Sequence, residues 1–436
     1  MAAAGAFGLA AALAVGTSAA AVAAPLAHGG AKTPAIGAHP HYQVAGHATP
    51  AAPPTFTCQV TTPAQCFGPA QIRAAYGVDK LAAKGLNGAG RTIVIVDAFQ
   101  SPTIASDLAT FDALFELPDP VFNQIAPDGL TPFDQNDGNM VGWAGEITLD
   151  VEWAHAIAPA AKIVLVLAKS NQDEDILSAT RYAVDHNLGD VISQSFGENE
   201  SCVAPDIARA QHALFARATL KGITLLASSG DQGSAQLDCA GETFVKAASS
   251  PATDPLVTAV GGTLLDANGL TGVYNGEVTW NEPDFAAASG GGFSVDFRRP
   301  IYQVLAQHNR GRGVPDVAYN AGILTGVLAV WSSSGLGDNL VFRFGGTSAG
   351  SPQWAGLVAL TNQANHGRVG FLNPTLYALA ATPAYRTLFH DITVGDNTFH
   401  GDTDIAGFPA GRGWDAATGL GSPKADALVP LLARLH

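Results

Sequence analysis

The sequence predicts an α/β fold: an open, mostly parallel sheet with helices on both faces. Short continuous apolar runs, typical of strands buried on both sides, alternate with longer segments of helical character. The chain has 436 residues, of which 47% are hydrophobic and 14% charged, enough for a large core. In such sheets the functional groups lie at the carboxyl ends of the strands.

The predicted elements begin with a helix that starts at Pro69, after which strands and helices alternate. The predicted strands are Arg91–Asp97, Lys162–Ala168, Val191–Ser195, Ile223–Ser228 and Leu256–Ala259. The predicted helices are Pro69–Tyr76, Ser106–Phe115, Gly145–Ile157, Glu174–His186, Ile207–Lys221 and the apolar run Trp354–Leu360. From Asp391 onward the chain is glycine-rich and loop-like.

The first residues predict export. Residues 2–31 carry no Lys, Arg, Asp or Glu, and small residues before Pro25 suit signal peptidase, so residues 1–24 are predicted to be a signal peptide. The usual basic start is missing, which leaves an uncleaved membrane anchor or a disordered Ala-rich tail as alternatives. A stable membrane association is not expected, since poly-Ala makes a poor membrane span. Residues 25–55 are predicted to be a flexible linker or short propeptide, and residues 56–436 the functional domain.

The four cysteines fit a secreted, oxidised protein. We favour the pairs Cys58–Cys66 and Cys202–Cys239 among the three possible connectivities, on sequence proximity and on their flanking of one long connection. Four buried free thiols are the alternative. The spacing matches no zinc signature.

The net charge of −15 argues against nucleic acid as a partner, because phosphate binding needs a basic surface. Sparse charge also suggests tolerance of acid, since few ionised contacts are lost when carboxylates become protonated. Nothing in the sequence indicates an oligomer, so we expect a monomer.

The segment Gly345-Gly-Thr-Ser-Ala-Gly-Ser-Pro352 places Ser348 between small residues, just ahead of a helical run. A nucleophilic serine needs such an open turn, and N–H groups at the start of the helix help to hold a developing oxyanion. A lone Gly-Thr-Ser is common in ordinary loops, so its partner base decides its meaning.

Carboxylates supply that partner. Glu146 and Asp150 lie four residues apart on a predicted buried helix, hence on one face. Burial and mutual repulsion raise the pKa of one of them, which suits a base that works in acid, where histidine is protonated. An ordinary solvated helix face is the alternative.

Asp231 follows a buried strand within Ser229-Gly-Asp231. It is either a turn former or, when protonated, a donor to an oxyanion. Asp97 is interpreted as a strand-end residue.

These motifs resemble the sedolisin family, the serine-carboxyl peptidases, over roughly residues 65–430. The motifs that carry the resemblance are Glu146-x-x-x-Asp150, Ser229-Gly-Asp231, Ser289-Gly-Gly-Gly-Phe-Ser294, Gly313-Val-Pro-Asp316 and Gly346-Thr-Ser-x-x-x-Pro352.

The resemblance implies a subtilisin-like fold and hydrolysis of proteins or peptides in acid. Ser348 would be the nucleophile, Glu146 its base, Asp150 the residue that orients Glu146, and Asp231 part of the oxyanion hole. The strand that includes Ser195, Phe196 and Gly197 would form a wall of the substrate cleft.

The resemblance also implies one Ca²⁺ in the C-terminal loops, since carboxylates and exposed carbonyls are the hard ligands calcium prefers. Its ligands would be the side chains of Asp391 and Asp415 and the carbonyls of Ile392, Gly411 and Gly413.

Two alternatives remain at this stage. A subtilisin-type protease would need a His-Gly-Thr segment and an oxyanion asparagine, whereas here no His precedes Gly-Thr and the oxyanion position holds Asp231. A catalytically silent secreted binding protein on the same scaffold is the other; the intact set of four residues argues against it. Most members of the family carry a long folded propeptide, whereas only residues 25–55 stand between the predicted signal peptide and the domain.

Overall fold

A computed structural model of the chain describes residues 36–38, 40–48, 55–61 and 65–436. Lys32–His436 form one compact unit. The predicted signal peptide, residues 1–24, lies outside the described residues. Within them, no helix combines the length and apolar character that crossing a membrane requires.

A mostly parallel sheet forms the centre of the molecule, as predicted. Its strands, in spatial order, are Tyr274–Thr279, Thr258–Ala267, Thr224–Ser228, Val191–Gln194, Thr92–Ala98, Lys162–Ala168 and Phe122–Ile125, and Val317–Asn320 also pairs with Thr258–Ala267. Only the pairing of the first two strands is antiparallel. The predicted strand Leu256–Ala259 overlaps only the beginning of the observed ten-residue strand Thr258–Ala267.

Helices cover both faces of this sheet. Along Thr92–Ala98, Ile93 and Ile95 belong to one apolar cluster, whereas Val94 and Val96 belong to another on the opposite face. This alternation follows from the pleat, which points successive side chains to opposite sides. The principal helices are Pro69–Tyr76, Val78–Ala82, Ile104–Phe115, Gly138–Ile157, Asp173–Asp185, Pro205–Leu220, Gly350–Ala364, Asn373–Ala380 and Ala425–Leu435; single turns of helix are Thr57–Val60 and Tyr385–Leu388.

A second sheet includes a strand from the amino-terminal part of the described chain. Its strands, in order, are His41–His47, Leu340–Gly345, Thr325–Val330 and Gln65–Phe67. Residues 25–55 are predicted to be a flexible linker or a short propeptide, and the linker part of that prediction is wrong for His41–His47, which pairs antiparallel with Leu340–Gly345. The error arises because a strand stabilised by a distant partner carries little local signal. We call His41–His47 the leader strand.

The remaining short strands pair with one another in two-stranded sheets outside the two main sheets. They are Glu198–Asn199, Ala235–Leu237, Phe244–Lys246, Ser249–Ser250, Asn281–Glu282, Ala287–Ala288, Gly292–Arg298, Gly311–Val314, Phe389–His390 and Ser422–Pro423. The predicted disulfides Cys58–Cys66 and Cys202–Cys239 are both formed, which confirms the favoured connectivity.

Gly138–Ile157, which we call the central helix, positions the carboxylates of the site. It begins seven residues before the predicted start, because the side chain of Asp137 caps it by accepting hydrogen bonds from the N–H groups of Asn139 and Met140. From Trp143 to Ile157 every residue is buried, so the helix runs through the core rather than along its surface.

Candidate active site

Ser348 lies where the second sheet passes into the helix Gly350–Ala364. The strand ends at Gly345, and Ser348 stands in a short 3₁₀ turn, Thr347–Ala349, that leads directly into the helix. Gly346 makes the turn possible, because its φ of 126° lies in a region that glycine adopts readily and other residues do not. A Cβ at this position would also lie within 2.7 Å of an Asp231 oxygen. A side chain at position 346 would therefore collide with Asp231.

Glu146 and Asp150 lie on the central helix, one turn apart, and both are fully buried. The Glu146 carboxyl lies close to the Ser348 hydroxyl, and the charge of Asp150 acts on Glu146. Full hydrogen-bonding geometry is not reached, because the carboxyl oxygens of Glu146 and Asp150 have no such partner among the described residues. Because both residues are fully buried, the alternative of an ordinary solvated helix face is excluded.

The electrostatics of the pair favour protonation. Burial, followed by repulsion from Asp150 and Asp97, raises the pKa of Glu146 well above its ordinary value, while the nearby Ser348 hydroxyl opposes this. Burial likewise raises the pKa of Asp150, and the nearby Ser195 and Glu146 side chains oppose this. Two carboxyls in one dry site cannot both ionise cheaply, so they titrate as a coupled unit that holds a proton well above the usual carboxyl range.

Asp97 is a third carboxyl of this cluster, and the sequence interpretation of it as a strand-end residue is incomplete. It is fully buried, and neither oxygen has a hydrogen-bond partner among the described residues. Burial and then repulsion by Asp150 raise its pKa well above the ordinary value. The available signal was the sequence itself: an aspartate that ends an apolar run on a central strand must lie at the carboxyl edge of the sheet.

Asp231 faces the serine turn from the carboxyl end of Thr224–Ser228. Its Oδ1 accepts hydrogen bonds from the Thr347 N–H at 2.8 Å and from the Thr347 hydroxyl at 2.7 Å. Burial raises the pKa of Asp231, whereas the positive charge of His41 and the Thr347 donors lower it. Its Oδ2 is the carboxyl oxygen nearer to Gly346.

The three predicted substrate-binding residues occupy different parts of the same edge. The Ser195 carbonyl accepts from the Ser348 hydroxyl at 3.4 Å, so this residue borders the nucleophile. Phe196 points away into the core and packs against Trp143, with 5.9 Å between ring centroids. The N–H and carbonyl of Gly197 pair with those of Gly37, and Ser249 leaves no space for a side chain there.

Two of the predicted calcium ligands, Asp391 and Gly413, contact Tyr385. The Asp391 carboxylate accepts from the Tyr385 hydroxyl at 2.8 Å and from the Gly413 N–H at 2.9 Å, and the Gly413 carbonyl also accepts from Tyr385 at 3.4 Å. Asp415 accepts from the Gly411 N–H at 3.0 Å. In the described chain no cluster of three or more His, Cys, Asp or Glu could hold a metal. Two carboxylates beside exposed carbonyls are chemically suited to Ca²⁺.

Comparisons with known proteins agree with this geometry. A model of the subtilase family matches residues 138–384, which is more than half of the chain. Kumamolisin of Bacillus sp. (strain MN-32) is 37% identical over 359 residues, covering 80% of this chain and 61% of kumamolisin. Tripeptidyl-peptidase sed4 of Aspergillus fumigatus is 31% identical over 400 residues, covering 76% of this chain and 61% of that protein. The chain thus spans about three fifths of these relatives.

A solved structure completes the comparison. Pseudomonas sedolisin, described as a serine-carboxyl proteinase complexed with two molecules of pseudo-iodotyrostatin, matches with a TM-score of 0.73 and 28% identity. The match covers 85% of this chain and 99% of that chain. With the subtilisin-like architecture and the buried Glu–Asp pair beside a Gly-Thr-Ser turn, this chain belongs to the sedolisins, the serine-carboxyl peptidase group within the subtilase family.

Proposed function

We propose that this chain is a secreted serine-carboxyl endopeptidase that hydrolyses peptide bonds of proteins at acidic pH through a Ser348–Glu146–Asp150 triad. The observation that carries the proposal is the placement of two fully buried carboxyls, Glu146 and Asp150, beside the hydroxyl of a serine at a helix N-terminus. The sedolisin relatives support a peptidase function, and the two disulfides fit a secreted protein.

The mechanism follows from these positions. The Ser348 oxygen forms a bond to the scissile carbonyl carbon as Glu146 takes its proton, and the carbonyl oxygen becomes an oxyanion. Asp150 orients Glu146. A protonated Asp231 donates to that oxyanion. Glu146 then returns the proton to the leaving amine, the acyl-enzyme forms, and water attacks it by the same sequence of proton transfers.

Acid suits this arrangement because both roles need raised pKa values. The coupled carboxyls must take up and return a proton within the working range, and the most effective base has a pKa near the operating pH. Asp231 must stay protonated to donate. Among the described residues no histidine hydrogen-bonds to Ser348, whose hydroxyl partner is the Ser195 carbonyl. The geometry therefore favours the serine-carboxyl mechanism over the subtilisin-type alternative.

Ser348→Ala is expected to abolish digestion of protein substrates between about pH 3 and about pH 7, because the attacking oxygen is lost. Ser201→Ala, at an exposed serine, is the matched control and keeps wild-type activity. The lengths of the products also separate endopeptidase action from removal of tripeptides. Equal activity in wild type and Ser348→Ala, or no activity in either at any pH, would refute the proposal, and the silent binding protein would take its place.

We further propose that one Ca²⁺ binds at Asp391 and Asp415 with the carbonyls of Ile392, Gly411 and Gly413. A bound ion would hold two C-terminal loops against Tyr385 and stabilise the folded state by mass action. It would take no part in the chemistry at Ser348.

Removing calcium with a chelator is therefore expected to lower the Tm by roughly 5 °C, as the stabilisation by a site near saturation is lost. Asp391→Asn should reproduce the loss and remove the response to chelator. Asp402→Asn, in an exposed part of the same loops, should leave that response intact. A wild-type Tm that is the same with chelator and with added calcium would exclude the ion.

A further inference from the structure

Thr347 connects the serine turn to the loop that carries Asp231. It is fully buried and directly precedes Ser348 in the chain. Its hydroxyl accepts a hydrogen bond from the Gly230 N–H at 3.1 Å and donates one to Oδ1 of Asp231 at 2.7 Å; the Gly230 carbonyl is a more distant acceptor at 3.2 Å. The Thr347 N–H donates to the same Oδ1 at 2.8 Å. One residue of the serine turn therefore binds both the backbone and the side chain of the Asp231 loop.

The two oxygens of the Asp231 carboxyl differ in their surroundings. Both Thr347 donors bind Oδ1, whereas Oδ2 is the oxygen nearer to Gly346. An N–H group can only donate, so Oδ1 must offer it a lone pair, and the Thr347 hydroxyl donates to the same oxygen. In the neutral carboxyl the proton therefore belongs on Oδ2.

Other contacts fix the backbone around Asp231 but leave its carboxyl free to turn. The Asp231 carbonyl accepts from the Ala288 N–H at 2.9 Å, and the Ser229 hydroxyl donates to the Gly290 carbonyl at 2.6 Å. The torsion that turns an aspartate carboxyl is broad and roughly two-fold, so a flip would exchange Oδ1 and Oδ2. The two hydrogen bonds from Thr347 supply the restraint that the backbone contacts lack.

The groups that act on the charge of Asp231 come from several elements. Burial raises the pKa of Asp231, whereas the positive charge of His41 on the leader strand and the two Thr347 hydrogen bonds lower it. On the central helix, Glu146 lies within range of the same charge, since Asp231 raises the pKa of Glu146. The Thr347 hydroxyl thus favours the ionised form of Asp231, and removing it should raise the pKa of that carboxyl further.

We propose that Thr347 is a positioning residue for the reaction: it holds Oδ1 of Asp231, so that the proton stays on Oδ2 and forms the hydrogen bond to the oxyanion from there. The proposal rests on the proposed peptidase function and extends it. Thr347 acts through Asp231 and has two effects of opposite sign. It orients the donor, which speeds the reaction, but it also favours the carboxylate, which lowers the pH at which the donor is lost.

The first test compares the pH profiles of kcat on one peptide substrate for wild type, Thr347→Val and Thr347→Ser. Valine has the size of threonine but no hydroxyl. Thr347→Val is expected to lower kcat by about tenfold with little change in KM, because the oxyanion donor is no longer oriented. It should also move the alkaline limb of the profile upward by about half a pH unit or more, because Asp231 keeps its proton to higher pH. Thr347→Ser retains the hydroxyl and should keep the wild-type limb and most of kcat.

Thr361→Val is the matched control. The Thr361 hydroxyl is also buried, and it donates to the Leu357 carbonyl within the helix Gly350–Ala364. Loss of a buried hydroxyl there should leave the alkaline limb in place. A fall in kcat in Thr347→Val with an unmoved limb would show a merely structural residue and overturn the positioning role, and so would a kcat equal to that of wild type.

The second test needs no activity and follows the Asp231 carboxyl by NMR on the Ser348→Ala background. Aspartate that is isotope-labelled at the carboxyl carbon gives one signal per residue, and the Asp231 signal is the one missing from Asp231→Asn. Its titration midpoint should lie higher when Thr347→Val is added and stay in place when Thr361→Val is added. A raised midpoint together with an inactive wild type would reject the peptidase function and keep the hold of Thr347 on Asp231. An active wild type with an unmoved midpoint would reject the positioning role alone.

Discussion

Glu146→Gln is expected to reduce kcat by about 10⁴-fold, comparable to the loss when a catalytic base is removed from a serine peptidase. Glutamine matches glutamate in size and polarity but cannot take the proton from Ser348. The fold should tolerate the change, because the site is fully buried and the coupled pair of Glu146 and Asp150 already holds a proton above the ordinary carboxyl range.

The measurement is kcat on a peptide substrate at one acidic pH, with folding checked by circular dichroism. Glu174→Gln, at an exposed position of the helix Asp173–Asp185, is the matched control and should retain full activity. If Glu146→Gln keeps kcat within about tenfold of wild type while Ser348→Ala is inactive, another group is the base.

The folded state is expected to be most stable in acid and to lose several kcal/mol of unfolding free energy as the pH rises toward neutrality. A carboxyl whose pKa is higher in the folded than in the unfolded chain binds more protons when folded, so its contribution is present below the unfolded pKa and is lost as the pH rises through the folded value. Glu198 defines the pH range of this loss. Its pKa rises from 4.5 to about 9 on folding, so the stability that it contributes is lost between those two pH values.

Other buried carboxyls act in the same direction. Burial raises the pKa values of Glu146, Asp150, Asp97 and Glu152 well above their ordinary range. His390 acts in the opposite direction: burial lowers its pKa to about 4, so the stability it contributes is lost as the pH falls from 6.5 toward that value. One histidine does not outweigh the carboxyls, and the net slope stays negative above the ordinary carboxyl range.

Denaturant unfolding of Ser348→Ala, which avoids self-digestion, measures this slope at about pH 4, 6 and 8 with calcium absent. Glu198→Gln should flatten it by up to one proton, about 1.4 kcal/mol per pH unit, whereas Glu242→Gln at an exposed position should not. Stability that rises steadily over this range would contradict the assignment of protonated buried carboxyls.

Sequence reasoning succeeded where local pattern decides structure. Lys162–Ala168 was predicted with the bounds the structure has, and a helix begins at Pro69 as predicted, because a continuous apolar run and a proline at a helix start are local signals. It failed where contacts with distant residues, or burial in the core, decide the local structure. The central helix begins earlier than predicted because Gly138 and Gly142 weaken the local signal, while burial and the Asp137 cap override it.

The site divides in the same way. Ser348, Glu146, Asp150 and Asp231 were recognisable from motifs, and the structure brings them together at the carboxyl edge of the sheet. The contribution of Asp97 was missed because an isolated aspartate at a strand end has no neighbouring motif. The leader strand was missed because its partner, Leu340–Gly345, lies almost three hundred residues away along the chain.

The central claim is that Glu146 activates Ser348, and acid-quench mass spectrometry during turnover of a peptide ester tests it most directly. At acidic pH, wild type should accumulate an acyl group that peptide mapping places on Ser348, and Glu146→Gln should form it far more slowly. An acyl group on another residue, or equal rates of acylation in the two proteins, would contradict the account.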